Sequence, residues 1–307
     1  MLPMVETDEE WDAVVPEKTV MRVGAEDLCA RLGLAGAPLS RFPDGSQPVY
    51  AVGDELVLKL FPAAAAQDGV AEGRVLSHLH GLLPVPTPKA HDFGPYESGW
   101  QYVLMSRLPG QNLAHAWDRM ARADHERLVA DVGETLAVLH ALDPAPLADV
   151  LGPGDWGAFL DHRRAAAVEQ QRGHGLPSAW LDQIPDFLTS VALPHDPQPA
   201  LLHTEVMRQH FLVDADSRQL TGLLDFEPAM IGHRAYDFVG VGLFVTRGDP
   251  HLMARLTTAY GHAFEPDELL ASTLPHVYSN PPWYLRELDA PAEGTLTAPA
   301  EAWFGTA

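Results

Sequence analysis

LLHTEVMRQHFLVD (residues 201–214) and TGLLDFEPAMIGHRAYDF (residues 221–238) together read as loop, strand, turn, strand, loop. Leu201 and Leu202 lead into a polar cluster, His203, Thr204 and Glu205. Phe211 to Val213 form a short apolar run, ended by the turn residues Asp214 to Ser217. A second run, Leu223 and Leu224, delivers Asp225. Two short strands joined by a polar turn make a hairpin. Such a hairpin can set Glu205, His210 and Asp225 around one point. An acid, an imidazole and a second carboxylate so placed suit a divalent metal and a general base.

This stretch resembles the catalytic core of the aminoglycoside phosphotransferases, relatives of the eukaryotic protein kinases. The pattern there is His-Gly-Asp, four residues, Asn, then a hairpin and an apolar run ending in Asp. The resemblance puts His203 at the brace histidine, Glu205 at the catalytic aspartate and His210 at the metal-binding asparagine. Asp225 matches the magnesium-holding aspartate, and Ala235-Tyr236-Asp237 a helix signature whose aspartate is structural. Glu205 adds one methylene to the usual side chain. His210 offers nitrogen where magnesium prefers oxygen.

Further stretches carry the resemblance from about Leu39 to Gly248: RFPDGSQPVYAVGDELVLKLF, YVLMSRLPG and HRRAAAVEQQRGHGLPSAWLDQIPDFL. They are similar to the actinobacterial hygromycin B phosphotransferases. The implied fold is α+β and two-lobed, with a small β-rich N-terminal lobe and a larger, mainly helical C-terminal lobe. The expected division is an extension over residues 1–38 with one helix at Ala25–Leu32, a nucleotide lobe over 39–108 and a catalytic lobe over 109–307.

Within the first lobe, Val49–Val52, the turn Gly53-Asp54 and Leu56–Phe61 alternate as a hairpin. Lys59 stands in its apolar second strand. A lysine there either protects a sheet edge or, as the resemblance implies, pairs with nucleotide phosphates. Glu72, on the helix expected at Asp68–His80, is either a solvated carboxylate or the partner of Lys59. Ser46 lies on the loop expected to cover phosphates. Gln101 to Leu108 reads as a buried strand ending in a hinge, where the resemblance implies adenine contacts by the Ser106 carbonyl and Leu108 amide, with Met105 behind. Glu227 can touch a second metal or substrate amines, or be a loop carboxylate. No Walker motif is present.

In the second lobe, His125–Leu142, Asp155–Gly173 and Leu252–Phe264 have helical spacing, and the Ala-, Pro- and Glu-rich tail after Asp289 reads as loosely held. His140 reads as a helix-end histidine.

Composition narrows the function. A net charge of -22 argues against nucleic acid; on its own it reads as an aid to solubility, and taken with the resemblance it implies a cationic small molecule. No apolar run spans a bilayer, so no membrane partner is expected. A single cysteine, Cys29, and an acidic start fit the cytoplasm. The resemblance implies an ATP- and Mg2+-dependent phosphotransferase acting on a hydroxyl of an aminoglycoside such as hygromycin B. Two alternatives stay open: a kinase for another hydroxylated small molecule, and a silent kinase-like binding module.

Overall fold

The computed structural model describes residues 2–288 and 294–307. The chain forms two compact units. The first comprises Met1–Leu82, Pro86–Gly110 and Thr221–Pro228, and the second Leu83–Val85, Gln111–Leu220 and Ala229–Ala307.

The first unit starts with two helices where the sequence predicts one, α1 (Asp8–Val14) and α2 (Lys18–Arg31). Thr7 and Glu10 close α1 with a reciprocal capping box. Strands β1 (Leu39–Arg41), β2 (Val49–Val52) and β3 (Leu56–Phe61) follow, then α3 (Ala66–Leu79), β4 (Ala90–Pro95) and β5 (Gln101–Ser106). The strands form an antiparallel sheet in the order β1-β2-β3-β5-β4, with Lys59 opposite Val103.

Strand alternation explains the layering. Leu58 and Leu60 project to one face, where they join Leu2, Val5, Met21 and Leu28 in one core. Residues 1–38 are therefore not an appendage; they supply a hydrophobic layer of the first unit. Lys59 and Phe61 project to the other face, toward α3. There Gly69 and Gly73 let the helix approach: a Cβ on Gly73 would come within 2.4 Å of the Phe93 ring. That close approach is what delivers Glu72, buried, to Lys59.

The second unit is mainly helical. It opens with β6 (Gln111–Asn112), α4 (Leu113–Trp117) and the long α5 (Arg122–Ala141), which buries Leu128, Val132, Leu136 and Leu139. Next come α6 (Trp156–Gly173), capped by Asp155, then α7 (Ser178–Leu181) and α8 (Ile184–Ser190). Strand β7 (Ala200–Leu202) leads to the polar cluster, and β8 (Phe211–Val213) pairs with β6. A turn closed by the Asp214 amide on the Gln219 carbonyl leads to β9 (Leu220–Leu223), which from Thr221 onward is counted with the first unit. Strand β10 (Met230–Gly232) pairs antiparallel with β7. Helix α9 (Ala235–Gly240) continues as a wider helical turn, Val241–Thr246.

Helix α10 (Pro250–Tyr260) packs on α5 and ends at Gly261, short of the predicted Phe264. It is followed by α11 (Pro266–Thr273) and α12 (Pro281–Glu287). The loosely held tail is not what the structure shows where it can be described. Residues 289–293 lie outside the described ones, but α13 (Thr297–Phe304) packs on α10 and α11 and buries Trp303 and Phe304. Two large aromatic rings are enough to hold so short a helix, since each buries about 150–250 Å².

His276 marks the interior between α6 and α11. Its ring stacks on Tyr236 at 4.1 Å, and Arg163 of α6 donates to the Pro275 and His276 carbonyls. Complete burial lowers its pKa to about 3, from 6.5. The folded protein thus keeps His276 neutral while the unfolded chain takes a proton below about pH 6.5. Its contribution to stability is complete above that pH and is lost as the pH falls toward 3. The expected slope between about pH 6 and 5 approaches 1.4 kcal/mol per pH unit from this group. Denaturant midpoints of His276→Gln should lack that slope; an unchanged slope would reject the assignment.

Candidate active site

Each unit contains a buried polar cluster built on residues that the sequence singled out. In the first unit, Lys59 Nζ lies 3.0 Å from Glu72 Oε2, 2.7 Å from Asp225 Oδ1 and 2.7 Å from Glu227 Oε2. The lysine side chain is only 8% exposed, which removes the sheet-edge reading. Burial alone would lower its pKa, but the three carboxylates outweigh that and hold it well above the ordinary value. Burial pushes Glu72 up to about 7, and Glu227 also upward, each against the pull of Lys59. One cation cannot satisfy three acids, so the cluster carries excess negative charge.

That excess suits a divalent cation. Glu72, Asp225 and Glu227 each offer an oxygen, and these atoms lie within 4.8 Å of one another. Hard carboxylate oxygens are the donors that Mg2+ takes. The donor set of the first unit therefore fits magnesium. Asp225 holds this position with φ +70°, a left-handed conformation that costs a non-glycine residue about 1 kcal/mol or more.

The remaining nucleotide candidates are also in the first unit. Met105 is buried in β5, opposite Val57. Ser106 ends that strand and exchanges two hydrogen bonds with Lys89: its amide donates to the carbonyl, and its hydroxyl accepts from the amide. Leu108 follows, half-buried. Ser46 is exposed on the loop between β1 and β2.

In the second unit, Asp237 organises the polar cluster. Its fully buried carboxylate accepts from the His203 amide at 2.9 Å, the Thr204 amide at 2.6 Å and His140 Nε2 at 2.9 Å. These donors outweigh burial and hold its pKa below the usual carboxylate range. Thr204 stands where the related pattern has glycine, and it adopts φ +73°. A β-branched residue is strained there, and the short bond from its amide to Asp237 keeps it in place. Gly240 is required on the same helix, because a Cβ would lie 2.6 Å from the Val206 carbonyl oxygen.

His210 Nδ1 lies 2.8 Å from the Glu205 carbonyl oxygen. A carbonyl only accepts, so Nδ1 carries the proton and Nε2 keeps its lone pair when the ring is neutral. The imidazole thereby ties both ends of the Glu205–His210 loop, and Nε2 is the ring nitrogen with the chemistry of a metal ligand. His203 and His210 stack at 5.6 Å. Glu205 is half-buried.

Two contributors escape sequence reading. His140 bridges Asp237 and the Tyr260 hydroxyl, each at 2.9 Å, and so acts as a support of the turn rather than a simple helix-end residue. Arg208 donates through Nε to the Val245 carbonyl at 2.8 Å and lies 3.6 Å over the Trp117 ring. Burial lowers its pKa to about 9. Neither residue has a local sequence signal, because their partners are remote in the chain.

The sequence profile of the phosphotransferase enzyme family matches residues 38–271. The chain belongs to this family. Among solved structures, this phosphotransferase is similar to the GDP complex of aminoglycoside 2'-phosphotransferase-IIIa. The identity is 20%, with coverage of 83% of this chain and 87% of that one and a TM-score of 0.67. It is also similar to a thermostable mutant of aminoglycoside phosphotransferase APH(4)-Ia in a ternary complex with AMP-PNP and hygromycin B. There the identity is 17%, the coverage 82% and 88%, and the TM-score 0.61. At these identities the likeness establishes the fold, which is the expected α+β kinase-like one.

A curated relative, lysine-specific demethylase JMJ21 of Arabidopsis thaliana, is 23% identical over 215 residues. The match takes in 57% of this phosphotransferase but spans only 23% of that protein's length. Among the described residues, no helix is long and apolar enough to cross a membrane.

Proposed function

We propose that this phosphotransferase is an ATP-dependent kinase that phosphorylates a hydroxyl of an aminoglycoside-type antibiotic, hygromycin B being the first candidate, and that it works in the cytoplasm. The observation that carries this is the buried Lys59 ringed by Glu72, Asp225 and Glu227. A lysine held among acids in a chain of this family is a phosphate-binding cation kept in place until nucleotide arrives. The AMP-PNP complex of one structural neighbour supports ATP use, and the GDP complex of another supports nucleotide use more broadly.

Lys59 would neutralise phosphate oxygens, with Glu72 holding its ammonium in register. Met105, Ser106 and Leu108 would receive the base, and Ser46 would lie over the phosphates. Asp225 and His210 would hold Mg2+, with Glu227 as a further ligand or a contact for substrate amines. Bound magnesium supplies charge neutralisation at the transferring phosphoryl group. Glu205 would accept the proton of the acceptor hydroxyl as the new P–O bond forms and the bond from the γ-phosphorus to the leaving oxygen of ADP breaks. His203 braces the loop and transfers no proton. The charge of -22 favours a cationic acceptor over a neutral sugar.

The test is ADP release with ATP and Mg2+ across aminoglycosides, with simple sugars and choline as comparators. Stimulation by hygromycin B or another cationic antibiotic is the expected result. Stimulation by a neutral sugar alone would move the assignment to another hydroxylated acceptor. ATP binding without turnover on any acceptor would favour the silent binding module that Glu205 and His210 leave open. In the active protein, Glu205→Ala should lower kcat about 10²–10⁴-fold, and an unchanged rate would remove its role as base. Asp225→Ala should abolish the response to magnesium concentration; a normal response would reject the metal assignment.

A further inference from the structure

The second unit contains a cavity of about 460 Å³ that none of the residues proposed above for phosphate, metal or proton handling lines. Its size lies within the range of small-molecule sites. Pro194, Pro197 and Pro199, in the segment before β7, form one wall, and Ala137 and Ala141 in the last turns of α5 form another. These residues supply the apolar part of the lining. The polar groups are Arg234, His140, His233, Gln198 and Tyr260. Among the described residues no Asp or Glu lines the cavity, in a chain with 42 acidic residues.

That reversal of charge is the informative feature. Arg234 is exposed at the start of α9, with its guanidinium 5.9 Å from the centre of the Phe264 ring. A guanidinium presents a planar fork of donors that matches a carboxylate in two parallel hydrogen bonds. The prolines of the same cavity offer an apolar face. His233, whose pKa burial lowers to about 4, stays neutral at pH 7 and can donate one further hydrogen bond.

The cavity also has a physical link to the catalytic turn. Two of its lining residues, His140 and Tyr260, bond to each other, and His140 donates to Asp237. Asp237 in turn holds the His203 and Thr204 amides. A ligand that packs against His140 therefore bears on the support of that turn.

We propose that this cavity binds a small planar carboxylate, with its head on Arg234 and its body on the proline wall, and that occupancy tightens the His203–Thr204 turn through His140 and Asp237. The site is a regulatory one in addition to the proposed substrate and nucleotide sites.

The experiment uses the full chain with benzoate as probe and benzamide as its uncharged counterpart, read by calorimetry and by amide hydrogen exchange. Benzoate should bind and benzamide should not. Arg234→Ala should weaken benzoate about tenfold or more, with Arg234→Lys intermediate because it keeps charge and loses the fork. Ala137→Leu, which fills the cavity and leaves Arg234 intact, should also abolish binding. Exchange of the His203 and Thr204 amides should slow in benzoate. No binding at millimolar benzoate, equal binding of benzamide, or an unchanged affinity in Arg234→Ala would overturn the site. Binding with unaltered exchange at residues 203 and 204 would overturn the coupling. None of these readouts depends on kinase activity, so failure here is separable from failure of the proposed function.

Discussion

Replacing Lys59 with methionine is expected to cost the protein both phosphate handling and stability. Methionine nearly matches the length of the lysine stem but leaves Glu72, Asp225 and Glu227 facing one another without a cation. Removing one partner of a buried ion pair typically costs about 3–5 kcal/mol, because the remaining charge stays desolvated. Glu72 limits that loss. Its pKa is already about 7, so part of the strain is relieved by taking a proton. The destabilisation should therefore be larger at about pH 8 than at about pH 6, since protonation of the acids falls as pH rises. Denaturant midpoints at the two values check this, and a pH-independent loss would show that the acids are not in competition for Lys59.

Turnover should fall about 10²–10³-fold, the usual cost of removing one preorganised electrostatic group. Adding Glu72→Gln to Lys59→Met should restore part of the stability and none of the turnover. Recovery of turnover would mean that Lys59 is needed only to neutralise Glu72.

Asp237→Asn should have the second largest effect. Aspartate accepts three hydrogen bonds here, from two amides and His140. Asparagine keeps the shape but turns one acceptor oxygen into a donor. That NH2 group must then face an amide N–H or the histidine, leaving two buried donors opposed. The expected destabilisation is about 2–4 kcal/mol, the desolvation of unsatisfied polar groups. Thr204, strained at φ +73°, loses its restraint and the turn relaxes. A displacement of about 1 Å at Glu205 would lower kcat by roughly a hundredfold. Substrate KM should change much less, because Asp237 makes no proposed contact to either substrate. Full activity in Asp237→Asn would show that the turn holds its shape without this carboxylate.

Much of this molecule is legible in local pattern. The alternation in residues 49–61 specifies a hairpin, and it appears as β2 and β3 with Gly53 at the turn. The period of residues 125–142 specifies an amphipathic helix, which appears as α5. Other elements needed their surroundings. Helix α1 has only 7 residues and is marginal alone. Helix α13 lies in an Ala- and Pro-rich stretch with no clear period, and it forms because Trp303 and Phe304 find a core already built by α10 and α11.

Residues 201–238 thus allowed His203, Glu205, His210, Asp225 and Asp237 to be matched to one family pattern as expected site residues, because a motif of short range is carried by neighbours in the chain. Tertiary structure alone decided what each charge does. Lys59 meets Asp225 across 166 residues and His140 meets Asp237 across 97. No periodicity encodes such pairings. They follow from burial, where an ionised group must find a partner or give up its charge.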